Sequence, residues 1–121
     1  MRTLRSLAII PVAALLLGAC DDSSDKSSDT TVPAPATVQI DVTIGVDSGP
    51  DRIETVAVGT EVTLTVTSPD ADDEVHVHTI DVEKEVAAGE TASFTFVVDT
   101  VGEIEVESHT TEEVLVVIDV V

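Results

Sequence analysis

The sequence is short of the residues most functional sites are built from. It has no Trp, no Tyr, two Phe, one Met and one Cys in 121 positions. A core made from this composition is aliphatic, dominated by Val and Ile. A single Cys allows neither an internal disulfide framework nor a four-thiolate zinc site. Basic residues are as scarce, with five Lys and Arg against 24 Asp and Glu, a formal charge of −19. That balance excludes nucleic acid, whose phosphates need cationic neutralisation. It also excludes electrostatic docking on an anionic lipid surface. Glycine-rich phosphate loops and apolar runs of helical period are missing as well. The length allows one domain with a small core, and 43% hydrophobic residues are too many for a disordered chain.

Residues 1–19 read as an address. Arg2 and Arg5 precede the apolar run Leu7–Leu17, which Pro11 interrupts. A charged start and a short apolar stretch make a secretory signal, too short for a comfortable membrane span. The segment ends Leu17-Gly18-Ala19-Cys20 and then turns abruptly polar, which resembles a bacterial lipobox. That resemblance implies cleavage before Cys20 and acylation there, giving an extracytoplasmic protein anchored to a membrane by lipid. Residues 20–121 would then carry Lys26, Arg52 and Lys84 against all 24 acids, a charge of −21. Residues 21–37, rich in Ser, Asp and Thr with Pro33 and Pro35, read as a tether that reaches about 3 Å per residue when extended. The folded domain is expected over 38–121.

From Val38 the apolar residues repeat every second position. Val38, Ile40, Val42, Ile44 and Val46 form one such series; Val62, Leu64 and Val66 a second; Phe94, Phe96 and Val98 a third; Ile104 and Val106 a fourth. Alternating β-branched residues predict half-buried strands. The nearly unbroken apolar run Val114–Val121 predicts a centrally paired one. Turn signals fall at Asp47-Ser48-Gly49-Pro50, Gly59, Ser68-Pro69-Asp70, Gly89 and Gly102. Seven strands follow, near 38–46, 52–58, 61–67, 74–82, 91–98, 102–109 and 113–121. The expected class is all-β, a Greek-key sandwich.

Four segments add a family resemblance. Glu74-Val75-His76-Val77-His78-Thr79-Ile80 looks like the cupredoxin strand that presents a first copper-binding His. Val86–Phe96 is similar to that family's Gly-turn hairpin, as is Val56–Val66 in the first half. Gly102-Glu103-Ile104-Glu105-Val106-Glu107-Ser108-His109 is similar to the strand that leads to the family's Cys ligand. The resemblance covers about 80 residues and implies a cupredoxin-like fold. By register the family's Cys falls on Ser108, and no Met follows His109. Blue copper needs a thiolate and usually a soft axial ligand, so a type 1 electron-transfer centre is excluded.

The chain's only histidines, His76, His78 and His109, are the candidate metal ligands. His76 and His78 share one face of a strand. Ile80 and Val82 continue that parity, which is read as the core side, with His78 at its inner edge and His76 nearer the rim. The resemblance brings the end of the Gly102–His109 strand beside them, so three imidazoles would suit copper or another divalent metal. Against this, Ile104, Val106 and Ser108 look inward, which turns His109 outward, and all three histidines can equally be structural. Asp72, Asp73, Glu74 and Glu107 add negative potential that favours cations.

Lesser features carry less. The loop Asp70–Glu74 lacks the spacing and Gly of a calcium loop. Glu103, Glu105 and Glu107 read as an acidic stripe that opposes edge pairing. Ser108 and His109 face opposite ways and make no nucleophile–base pair. The expected function is therefore a non-catalytic, monomeric, membrane-anchored binding module, with copper or another divalent metal as its ligand. The alternative is a metal-free structural or interaction module that meets another envelope protein. The dense acid would also suit a saline habitat. Mass spectrometry of the mature protein tests the address: a chain starting at Cys20 with acyl mass on that residue is expected, and an unmodified thiol would overturn the anchor.

Overall fold

The computed structural model describes residues 33–121. The expected signal 1–19, Cys20 and the tether up to residue 32 lie outside the described residues. Eight strands form: β1 (Thr37–Thr43), β2 (Ile53–Val56), β3 (Glu61–Ser68), β4 (Asp73–Val77), β5 (Val82–Val86), β6 (Glu90–Val97), β7 (Gly102–Ser108) and β8 (Glu113–Val120). Among the described residues there is no helix. The strands make a three-stranded sheet, β1-β3-β6, and a five-stranded sheet, β2-β8-β7-β4-β5. The chain repeatedly changes sheet, as a Greek-key sandwich requires. The β1–β3 and β2–β8 pairs are parallel and the others antiparallel.

Burial follows the period-two pattern. In β3 every second residue, Val62, Leu64, Val66 and Ser68, is buried. In β6 the inward set is Ala92, Phe94 and Phe96. Val75, Val77, Ile104, Val106, Leu115, Val116 and Ile118 meet them from the five-stranded sheet. Branched side chains fit this layer because their rotamers are already restricted on the pleated surface. The most apolar strand is β8, unbroken over 114–118, and it lies between β2 and β7. Its register slips between Val106 and Glu107, where Val106 pairs Val116 and Glu107 pairs Val114. Leu115 is the extra residue of this bulge. Leu115 and Val116 are therefore both buried, and the Leu115 carbonyl accepts the Gly49 amide at 2.8 Å.

Two expectations change here. The strand expected at 74–82 is two strands, because a turn at 78–81 reverses the chain between β4 and β5. Asp81 sits in it at φ 51°, a left-handed conformation that Asp tolerates better than most residues, and its amide bonds the His78 carbonyl at 3.1 Å. No Gly or Pro marks this turn, so seven strands were expected and eight form. The stripe of Glu103, Glu105 and Glu107 lies on β7, an interior strand, and so guards no edge. The exposed charged strand at the sheet edge is β5, with Glu83, Lys84 and Glu85.

Arg52 and Lys84 are the only Lys or Arg in residues 33–121, and each closes one side of the sandwich. Arg52, just before edge strand β2, donates from Nη2 to the Asp41 carbonyl of edge strand β1 at 2.7 Å. It also pairs with Asp47 at 3.0 Å and Glu54 at 3.2 Å. On the other side, Lys84 of edge strand β5 donates from Nζ to the Ser93 carbonyl of edge strand β6. Its ammonium lies 5.1 Å from the Phe94 ring centroid. Each cation occupies an edge carbonyl that would otherwise be free to pair with another chain. Phe94 is the largest fully buried side chain; Phe94→Ala is expected to cost about 3–5 kcal/mol, read by urea denaturation.

Candidate metal site

The site grows out of the pleat. Val75 and Val77 of β4 are fully buried, so His76 and His78 point the other way, onto the outer face of the five-stranded sheet. This corrects the sequence expectation, which put both on the core side; Ile80 and Val82 do not share their face, because the turn at 78–81 intervenes. In β7, Ile104, Val106 and Ser108 are buried, and His109 is turned outward as expected from parity. Both outward parities belong to one sheet, and β4 pairs β7 directly. The three imidazoles therefore meet.

Antiparallel pairing sets the acids around them. His76 lies opposite Glu83 of β5 on one side and Glu107 of β7 on the other. Glu74 lies opposite Glu85, and its carbonyl accepts the His109 amide at 2.8 Å. The His76 ring sits between the other two, with centroids 4.4 Å from His78 and 5.1 Å from His109. Its side chain is 13% exposed, against 42% for His78 and 36% for His109.

Each imidazole has its own carboxylate. His109 Nδ1 is 2.9 Å from Glu74 Oε1, His78 Nε2 is 2.5 Å from Glu107 Oε2, and His76 Nε2 is 3.2 Å from Asp81 Oδ1. A carboxylate on one ring nitrogen fixes the ring and leaves the other nitrogen as the donor available to an ion. For His109 that donor is Nε2, and for His76 it is Nδ1.

Ligand atoms of His76, Glu83 and His109 all lie within 4.8 Å of one another. Two imidazoles and a carboxylate suit a borderline divalent ion such as Zn(II) or Cu(II). The expected trio of histidines is thus brought into ring contact, while the group with mutually close ligand atoms has Glu83 in place of His78. Glu83 was missed because its partnership with His76 depends on the unmarked turn at 78–81. The signal available was symmetry: positions 76 and 83 are equally spaced about that turn.

Ser108 occupies the place where the family resemblance sets a Cys ligand. It is fully buried. Its hydroxyl donates to the Asp73 carboxylate, with Oδ2 at 2.7 Å and Oδ1 at 2.9 Å, and accepts the Thr111 amide at 3.1 Å. Asp73 Oδ1 also accepts the Glu74 amide at 2.7 Å. In the 70–74 loop, Asp72 accepts the Ala88 amide at 2.9 Å. These carboxylates hold loops together. A thiolate donor set for blue copper is not present among the described residues.

No protein-family model matches the sequence, and no curated protein matches it. Solved structures do resemble the fold. Laccase from Botrytis aclada superposes with a TM-score of 0.59 at 15% identity, over 74% of this chain and 23% of the laccase. A heme-copper terminal oxidase gives 0.56 at 16% identity, over 71% of this chain and 65% of the other. Fet3p, a multicopper oxidase that functions in iron import, gives 0.52 at 20% identity, over 69% and 23%. The chain spans less than a quarter of the two multicopper oxidases. At these identities the likeness establishes a cupredoxin-like fold.

The hydrogen bond that His109 donates to Glu74 raises the His109 pKa above its ordinary 6.5, opposed by desolvation and helped by the fields of Glu83, Glu74 and Glu107. Folding therefore favours protonated His109. That contribution to stability is complete below the unfolded-state pKa and is lost as pH rises through the folded one. An NMR titration should place the His109 midpoint above 6.5, and Glu74→Gln should bring it down; an unmoved midpoint would show that Glu74 is not its partner.

Proposed function

We propose that this chain is an extracytoplasmic, cupredoxin-like module that binds one divalent metal ion on a sheet face and has no catalytic role. The observation that carries this reading is the mutual approach of His76, Glu83 and His109 ligand atoms. His78 packs on His76, with ring centroids 4.4 Å apart. Carboxylates far in excess of cations raise the local concentration of cations at the face. Anchoring through acylated Cys20 would keep the module at a membrane. Storage, scavenging or delivery of the ion are the tasks such a site serves, copper or zinc being the metals its donors suit.

A second reading has its own support. Every imidazole already has a carboxylate partner, so the face is satisfied without metal. It would then serve as a structural surface or as a contact for another envelope protein.

Calorimetric titration separates the two. The full chain carrying Cys20→Ser, which removes the thiol as a competing ligand, should take up one equivalent of Cu(II) or Zn(II). His76→Ala and His109→Ala should each weaken binding by about tenfold or more. Absence of any stoichiometric site would leave the second reading standing.

A further inference from the structure

In the metal reading of this face, two imidazoles and a carboxylate meet. Resting on that reading, we infer that the site discriminates between oxidation states of copper, holding Cu(II) and releasing Cu(I). Soft thiolate and thioether donors select Cu(I), whereas imidazole and carboxylate serve the divalent ion. The chain's one Cys and one Met are Cys20 and Met1, both outside the described residues. Within residues 33–121 no sulfur donor exists, and the buried hydroxyl of Ser108 is committed to Asp73.

Charge acts in the same direction. Glu83 is a direct donor candidate, Glu74 and Asp81 each bond a ligating imidazole, and Glu107 lies across the sheet from His76. Four carboxylates around one ion attract a double charge more than a single one. The surroundings add to this, since Arg52 and Lys84 are engaged at the sandwich sides. The exposure of His78 and His109 leaves an ion on this face open to water, which can complete the coordination that Cu(II) prefers and Cu(I) does not need.

An enediol reductant such as the ascorbate monoanion would give one electron to Cu(II) and one proton to water, leaving the ascorbyl radical anion, and the resulting Cu(I) would dissociate. Only metal–ligand bonds break, and His76 and His109 keep or regain their carboxylate partners. A module of this kind would surrender copper where a reductant is present and retain it where none is.

Two competition titrations on the full chain with Cys20→Ser test this, one with Cu(II) in air and one with Cu(I) under anaerobic conditions with bicinchoninate as competitor. The Kd for Cu(II) is expected to be at least a hundredfold lower than for Cu(I). That ratio lowers the potential of the bound couple by about 118 mV relative to the free ions, at 59 mV per tenfold change for one electron. Glu83→Met, an exposed substitution that introduces a thioether, should narrow the ratio at least tenfold. Equal affinities for both ions would overturn the inference and leave the metal reading intact. Failure to bind either ion, together with failure to bind Zn(II), would remove both.

Discussion

Burial of an aliphatic layer between two sheets is the constraint on which everything else rests. The strands alternate strictly enough that one parity is apolar and fully covered, while the other carries nearly all the charge. Self-repulsion among the surface carboxylates opposes compaction, and residues 33–121 contain only Arg52 and Lys84 to offset it. The favourable side of the balance is therefore apolar burial, at roughly 25 cal/mol per Å². Both cations are placed where they serve twice. Each neutralises nearby acid or packs on a ring, and each ties the edge of one sheet to the edge of the other.

The histidine face is a direct consequence of that layer. Val75, Val77, Val106 and Ser108 must face inward, so His76, His78, Glu107 and His109 must face out. Cross-strand pairing then brings Glu83 and Glu74 beside them. A polar row on the outside of a sheet would ordinarily be a solvated surface. Here three imidazoles occupy adjacent places within a field of carboxylates, and His76 is the most enclosed of them.

Fold and site chemistry part company in this protein. The likeness to laccase, the terminal oxidase and Fet3p lies in the path of the backbone. At the position where the family resemblance sets a thiolate there is a buried serine, hydrogen-bonded to Asp73, which locks the start of β4 to the turn after β7. The donors that do converge lie on the sheet surface instead. An ion held there would be ligated by hard and borderline donors and reached by solvent, a different environment from a thiolate centre buried at the end of a sandwich.

Much of the architecture was legible in the sequence because alternation maps directly onto burial. Val62, Leu64 and Val66, or Phe94 and Phe96, have their core positions written in their spacing, and the apolar run of β8 announces a central strand. The outward turn of His109 was also readable, since it depends on parity alone. The break between β4 and β5 was not, because Thr79, Ile80 and Asp81 include neither Gly nor Pro. From that one turn follows the partnership of His76 with Glu83, and the turn also takes Ile80 and Val82 out of the parity that had suggested a core side for His76 and His78. Sequence by itself determined which residues alternate and which donors exist. Only the tertiary structure decided which donors meet, because pairing between β4, β5 and β7 is set by a turn and by cross-sheet packing that no local pattern encodes.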